Sequence, residues 1–242
     1  MRLKGSAKNR PEKPKIPALA SKMIAEGIGT FTIVFAGCGS VMVAERFPGA
    51  ISHGGVSVIF GLAVAIMIYA VGHISGAHFN PAVTLAFAAA RHFPFGEVLA
   101  YWAAQITGAI AAMALLKATL PFGPSYGATV PAVPVFQALS WEAILTFFLM
   151  FVIVAVATDT RAVGTMAGAA IGGTVMLAAW VGGPVTGASM NPARSLAPAL
   201  FEGRLDVLWI YIIGPCAGAV LAALLYEAIR LTPANGKTQE PK

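Results

Sequence analysis

A chain of 242 residues in which 57% are apolar and only 11% charged, with a mean hydropathy of +0.77, is too apolar for a soluble domain and has the profile of a polytopic membrane protein. Its formal net charge of +6 is concentrated at the start, where Arg2, Lys4, Lys8, Arg10, Lys13 and Lys15 face only Glu12, but nothing downstream resembles a soluble partner domain, so a nucleic-acid arm is disfavoured. Two cysteines, Cys38 and Cys216, sit in apolar runs and read as packing thiols, and with no metal cluster, nucleophile or phosphate loop the chain is expected to be no enzyme and to carry no cofactor.

In chain order, residues 1–18 are basic and interrupted by proline, and read as a disordered cytoplasmic tail rather than a signal peptide. Apolar runs long enough to span a bilayer follow at about Ala18 to Ala44, Gly54 to Val71, Val98 to Leu120, Leu139 to Ala157, Val163 to Val181 and Leu208 to Leu231. The stretch 121–138, rich in Pro and Gly, reads as an external connector, and 232–242 as a second cytoplasmic tail. Six spans put both termini on one side. Placing that side in the cytoplasm leaves Arg46, Lys117 and Arg204 outside and puts Lys22, Arg91, Arg161, Arg230, Lys237 and Lys242 inside, as the positive-inside rule requires. Trp141, Trp180 and Trp209 then fall near the outer ends of spans, where an aromatic belt belongs.

One unit occurs twice. Gly72-x-x-Ser75-Gly76-x-x-x-Asn80-Pro81-Ala82-x-Thr84-Leu85-Ala86 aligns with Gly183-x-x-Thr186-Gly187-x-x-x-Asn191-Pro192-Ala193-x-Ser195-Leu196-Ala197. The likeness extends to Glu26-x-x-x-Thr30-Phe31 against Glu142-x-x-x-Thr146-Phe147, and to Tyr101, Gly108 and Ala109 against Tyr211, Gly218 and Ala219. The repeats cover 19–120 and 139–231. Each holds three spans plus one short apolar run, Ala82 to Ala90 or Ala193 to Phe201, about half a bilayer long. An odd number of spans per repeat turns the second upside down, which makes the fold class an all-α membrane protein of two inverted repeats, six transmembrane helices and two half-helices.

Asn before Pro suits a helix N-cap, so each motif reads as a loop leading into a half-helix, the two starting near the midplane with Asn80 and Asn191 head to head. Irregular backbone at that depth needs a watery cavity or protein around it, so the motifs imply a pore or internal site. Glycines at 27, 29, 37, 39, 164, 168, 172, 173, 214 and 218 read as packing devices. Glu26 and Glu142 are the acids placed well inside spans. Their symmetric placement favours buried acceptors for loop N–H groups, with a proton relay or solvent-facing end residues as alternatives. Two converging half-helix N-termini, two Asn amides and Arg194 would repel a cation and welcome a neutral molecule that accepts hydrogen bonds. His78, beside the first motif, is placed to line the pore; His53, His73 and His92 are scattered and read as satisfied or interfacial.

With two Asn-Pro-Ala motifs, the second followed by Arg194-Ser195, and the paired Glu-x-x-x-Thr signature, the chain resembles the aquaporin, or major intrinsic protein, family over about residues 19–231. The resemblance implies a homotetramer with one pore per subunit in the plasma (inner) membrane, and an outer selectivity filter at Phe60, Ala179, Ala188 and Arg194. Ala179 departs from water-selective members, which carry His there. Ser195 and Ala199 resemble water channels rather than glycerol facilitators, whereas Tyr211, Ile212 and the run Gly183 to Met190 resemble plant nodulin-like intrinsic proteins, which pass glycerol and neutral metalloid acids. The expectation is a passive channel for water and small uncharged solutes such as glycerol, boric acid or arsenous acid, closed to protons and ions. A strictly water-selective channel is the runner-up. A secondary transporter, an ion-conducting variant and a non-conducting junctional protein are the remoter alternatives.

Overall fold

In the computed structural model the described residues are 17–120, 125–159, 161–162 and 164–230, so the expected C-terminal tail, nearly all of the basic tail and residues 121–124 of the connector lie outside them. Eight α-helices are present among the described residues: α1 (Ala18–Arg46), α2 (His53–Ser75), α3 (Pro81–Ala89), α4 (Val98–Thr119), α5 (Val135–Thr158), α6 (Ala167–Thr186), α7 (Pro192–Glu202) and α8 (Ile210–Ile229). Six of them are long and apolar enough to cross a membrane, and no strand occurs among the described residues. The protein is an all-α integral membrane protein.

The two remaining helices are short for a physical reason. α3 has 9 residues and α7 has 11, which at 1.5 Å per residue is roughly half of a ~30 Å hydrocarbon layer. Each begins with Pro at its first position behind an extended Asn and runs out of apolar sequence within three turns. Three long helices overrun the apolar runs that announced them by four residues or more, α6 among them, which passes Val181 to reach Thr186. α2 continues past Val71 to Ser75 because Gly76, at φ +87°, supplies the left-handed cap that lets its N–H bond the Gly72 carbonyl. α5 starts at Val135, ahead of Leu139, directly behind Pro134.

Packing obeys a pseudo-two-fold relation between repeats. α1 packs on α4 and α2 as α5 packs on α8 and α6, while α2 and α6 meet across the pseudo-axis. The half-helices are exchanged: α3 lies against α8, and α7 against α4. Contact this close needs missing side chains. A Cβ at Gly108 or Gly218 would overlap the backbone carbonyl of Gly27 or Ala143, and Gly61 and Gly172 face one another's carbonyls in the same way. Gly29 and Gly37 depart from the helix-packing reading: each leaves room for an aromatic ring, Phe79 and Phe60 respectively, while Gly173 faces open space. Large apolar side chains such as Ile24, Ile66, Phe148, Leu177 and Leu221 are exposed on the outside, as a hydrocarbon environment allows.

The central passage and its lining

Both motif loops are built alike. α2 ends at Gly76 (φ +87°) and α6 at Gly187 (φ +86°), and each cap N–H bonds the carbonyl four residues back at 2.9 Å. Alternate residues beyond are then left-handed: Ala77 (53°) and Phe79 (52°), Ala188 (42°) and Met190 (53°). Five positive-φ residues that are not glycine occur among those described, and four of them lie in these two loops, a concentration of strain that a structure retains only where surrounding contacts enforce it.

Those contacts are visible. Glu26 Oε1 accepts from the Ser75 hydroxyl (2.7 Å) and the His78 N–H (2.9 Å), and Oε2 from the Phe79 N–H (2.7 Å) and the Gln105 amide (2.8 Å). Glu142 Oε1 accepts from the Thr186 hydroxyl (2.7 Å) and the Ser189 N–H (2.9 Å), and Oε2 from the Met190 N–H (2.9 Å). The Ser75 and Thr186 hydroxyls also accept from the N–H groups of Ala77 and Ala188. Tyr101 and Tyr211 hydroxyls donate to the Ser75 and Thr186 carbonyls, each at 2.7 Å. The loop N–H groups thus all point outward into protein. Among the described residues the carbonyls of Gly76, Ala77 and His78, and of Gly187, Ala188 and Ser189, receive no hydrogen bond from the protein. Backbone acceptors are rarely left unpaired, so a column of oxygens is available to whatever occupies the interior.

Asn80 and Asn191 occupy the two tips. Each is an extended N-cap whose Oδ1 accepts from its own half-helix: Ala82 N–H at 2.9 Å for Asn80, Ala193 and Arg194 N–H at 3.0 and 3.3 Å for Asn191. Each Nδ2 then donates across the repeat boundary, Asn80 to the Met190 carbonyl (2.7 Å) and Asn191 to the Phe79 carbonyl (2.9 Å). An amide nitrogen carries two hydrogens, so one on each Asn remains for the interior. The tips also bring together two helix N-termini, each worth roughly half a positive charge.

Two cavities meet in the interior, and the tips line only the lower. The lower, about 450 Å³, opens where α2 ends and α6 begins, and is lined by His73, Gly76 to Asn80, Ala188 to Asn191 and apolar side chains such as Ile153 and Ile171. The upper, about 390 Å³, opens where α2 begins and α6 ends, and is lined by Glu45, His53, Ser57 and Gly127 among others. Phe60, Ala179, Ala188 and Arg194 line both. Arg194 is held from two directions: it donates to the Gly127 carbonyl (2.9 Å), and its guanidinium carbon lies 5.1 Å from the centre of the Phe60 ring.

His78 lines the lower cavity. The Thr84 hydroxyl donates to the Asn80 carbonyl (3.1 Å), and has no second hydrogen to give, so His78 Nδ1, 3.1 Å from that hydroxyl, is the donor of the pair. A neutral ring then carries its lone pair on Nε2. His53 and His92 are satisfied as expected: His53 Nε2 lies 2.8 Å from the Trp180 carbonyl at the upper mouth, and His92 pairs with Glu227 at 2.9 Å. Cys38 is fully buried and Cys216 half-buried, and neither lines a cavity described above.

Several supporting residues carried no sequence signal. Gln105, which joins Glu26 to Thr84, has Pro215 as its counterpart in the second repeat. Thr129 of the connector bonds the Ser195 hydroxyl (2.7 Å), which also bonds that of Ser189. Trp102 Nε1 donates to the Pro81 carbonyl at 3.0 Å.

Comparison with known proteins agrees with this geometry. The profile of the family described as Major intrinsic protein matches residues 14–226. Aquaporin NIP1-1 of Oryza sativa subsp. japonica is 53% identical over 214 residues, 87% of this chain and 75% of that one. Nodulin-26 of Glycine max is 49% identical over 212 residues, 87% of this chain and 78% of that one. Among solved structures, the aquaglyceroporin from Plasmodium falciparum aligns with a TM-score of 0.77 over 87% of this chain and 96% of that one, at 24% identity, a likeness of fold.

Proposed function

The chain belongs to the major intrinsic protein family, whose members are channels rather than enzymes, and from that premise we propose that it is a passive pore for water and small uncharged solutes, glycerol and neutral metalloid acids among them. The observation that carries the reading is the pair of cavities joined at Phe60, Ala179, Ala188 and Arg194, which we take as the selectivity filter. Two of the four are alanines, so a wall that would otherwise carry larger or polar side chains is set back. A wider neck with a cation on one side and an aromatic face on the other suits a molecule with hydroxyls along one edge and carbon along the other. The likeness to Aquaporin NIP1-1 and to Nodulin-26 supports a channel, and the resemblance of the run Gly183 to Met190 to nodulin-like intrinsic proteins supports the wider solute range.

Below the filter a solute passes from one carbonyl to the next along the two loops, and at the tips its oxygen accepts from the Asn80 and Asn191 amides. A water held there by two donors is turned so that its own hydrogens face outward into the carbonyl columns on either side, and a chain of waters cannot relay a proton through a point where the orientation reverses. The two helix N-termini and Arg194 raise the electrostatic barrier to any cation. Four such subunits form the assembly, seated in the plasma (inner) membrane with both termini, the basic tail included, in the cytoplasm; the upper mouth then faces outside.

The test is stopped-flow light scattering on proteoliposomes of the purified protein under sucrose, glycerol and boric acid gradients, with an internal pH dye. Water, glycerol and boric acid flux above that of bare lipid, without proton entry, is the expected result. Water flux alone would favour the strictly water-selective reading, and vesicles that behave as bare lipid would defeat the channel.

A further inference from the structure

Two acids stand where helix electrostatics disfavours them. Glu45 is in the last turn of α1 and Glu202 is the final residue of α7, positions at which a helix presents the negative end of its dipole. Both carboxylates face the same piece of the connector. Glu202 Oε1 accepts from the N–H of Tyr126 (2.6 Å) and of Ala128 (3.1 Å), and Glu45 accepts from the Ser125 hydroxyl (2.8 Å to each oxygen) and N–H (3.2 Å). Between the two N–H groups taken by Glu202 lies Gly127, left-handed at φ +74° with its back against Cys38, and its carbonyl is the one that receives the Arg194 guanidinium at 2.9 Å.

We propose that Glu202 is the positioning residue of the filter. By holding the Ser125–Tyr126 peptide and the Gly127–Ala128 peptide that carries the carbonyl, it aims that carbonyl at Arg194 and keeps the guanidinium drawn to the wall beside Phe60, and so sets the width open to solutes larger than water. Arg194 and Glu202 are the third and eleventh residues of the same half-helix, with one chosen for the lumen and the other for the loop that steers it. Without the anchor, the 125–128 segment loses two charge-assisted bonds, Gly127 turns, and the guanidinium is released into the passage it lines. The oxygen, rather than the charge, is the operative feature, since both donors converge on Oε1.

The inference rests on the channel reading, and its test keeps the two apart. Wild type, Glu202→Ala and Glu202→Gln are reconstituted, and glycerol and water permeability measured on the same vesicles, water flux reporting that each variant is folded and open. Glu202→Ala should lower the glycerol-to-water ratio by about threefold or more, and Glu202→Gln, which keeps an acceptor oxygen, should restore most of it. An unchanged ratio in a water-conducting Glu202→Ala overturns the proposal while the channel stands, and equal losses in the two variants overturn the acceptor role. Should Glu202→Ala not insert, the glutamine variant alone decides: a ratio shifted as far as threefold in a water-conducting Glu202→Gln counts against it. A wild type as inert as bare lipid removes both readings together.

Discussion

Replacing Glu26 by glutamine and by alanine separates a support for the motif loop from a relay for protons. The carboxylate receives four donors, two of them the backbone N–H groups of His78 and Phe79. In Glu26→Gln the amide oxygen can keep the Phe79 N–H and the Gln105 amide. Its NH2 group then faces the Ser75 hydroxyl, which can turn and accept, and the His78 N–H, which cannot. One backbone donor is stranded, at a cost of about 1–3 kcal/mol. In Glu26→Ala both are stranded, about 2–6 kcal/mol by the same measure, before the loss of packed volume. Thermal unfolding in detergent should therefore rank wild type above Gln above Ala, with water flux at low temperature falling in the same order and proton flux absent throughout. A glutamine variant as stable as wild type would refute the cage, and one that abolished a measurable proton current would reinstate the relay.

Ala179→His should fill the neck where two alanines leave it wide, reducing glycerol flux about tenfold, the effect of a barrier raised by about 1.4 kcal/mol, and water flux much less; equal losses in the two stopped-flow traces would contradict the placement of Ala179. Gly37→Ala is expected to displace the Phe60 ring, against which a Cβ there has no room, so that the variant loses solute flux before stability, as melting and flux measured side by side would reveal. At the end of α5, Arg161 grips Asp159 through two side-chain bonds (2.9 and 2.6 Å), and this, with the Arg161 N–H, holds the carboxyl below the usual range. A depressed folded value means the stabilisation is fully present above the unfolded value of about 3.9 and is lost only as pH falls through the folded one. Asp159→Asn should thus lower the melting midpoint at pH 7, with the gap from wild type closing below pH 4; a gap that widened with acid would reverse the sign.

The repeat made most of the architecture readable. Asn-Pro at two places, with a Glu-x-x-x-Thr in the helix two earlier, was enough to anticipate eight helices, two of them short, and the carboxylate cage, because those features recur and recurrence marks what the backbone needs. What stayed hidden is what breaks the symmetry. Gln105 has only a proline as its counterpart, Thr129 and Gly127 lie in a connector that belongs to neither repeat, and the rings of Phe60 and Phe79 take the space left by Gly37 and Gly29 through a tertiary approach that no local spacing encodes. Helix ends shifted for a local reason: a left-handed glycine prolongs a helix past its last apolar residue, as at Gly76.

The exchange of half-helices bears on how the molecule is made. α3 is synthesised early, yet the helix it leans on most is α8, the last made of the eight described helices. Until then the first polar loop must wait at membrane depth with one wall missing, sheltered by the Glu26 cage, by whatever water enters, or by the insertion machinery itself. Birth order and burial order are opposed, so α3 completes its packing only after the second repeat has been made.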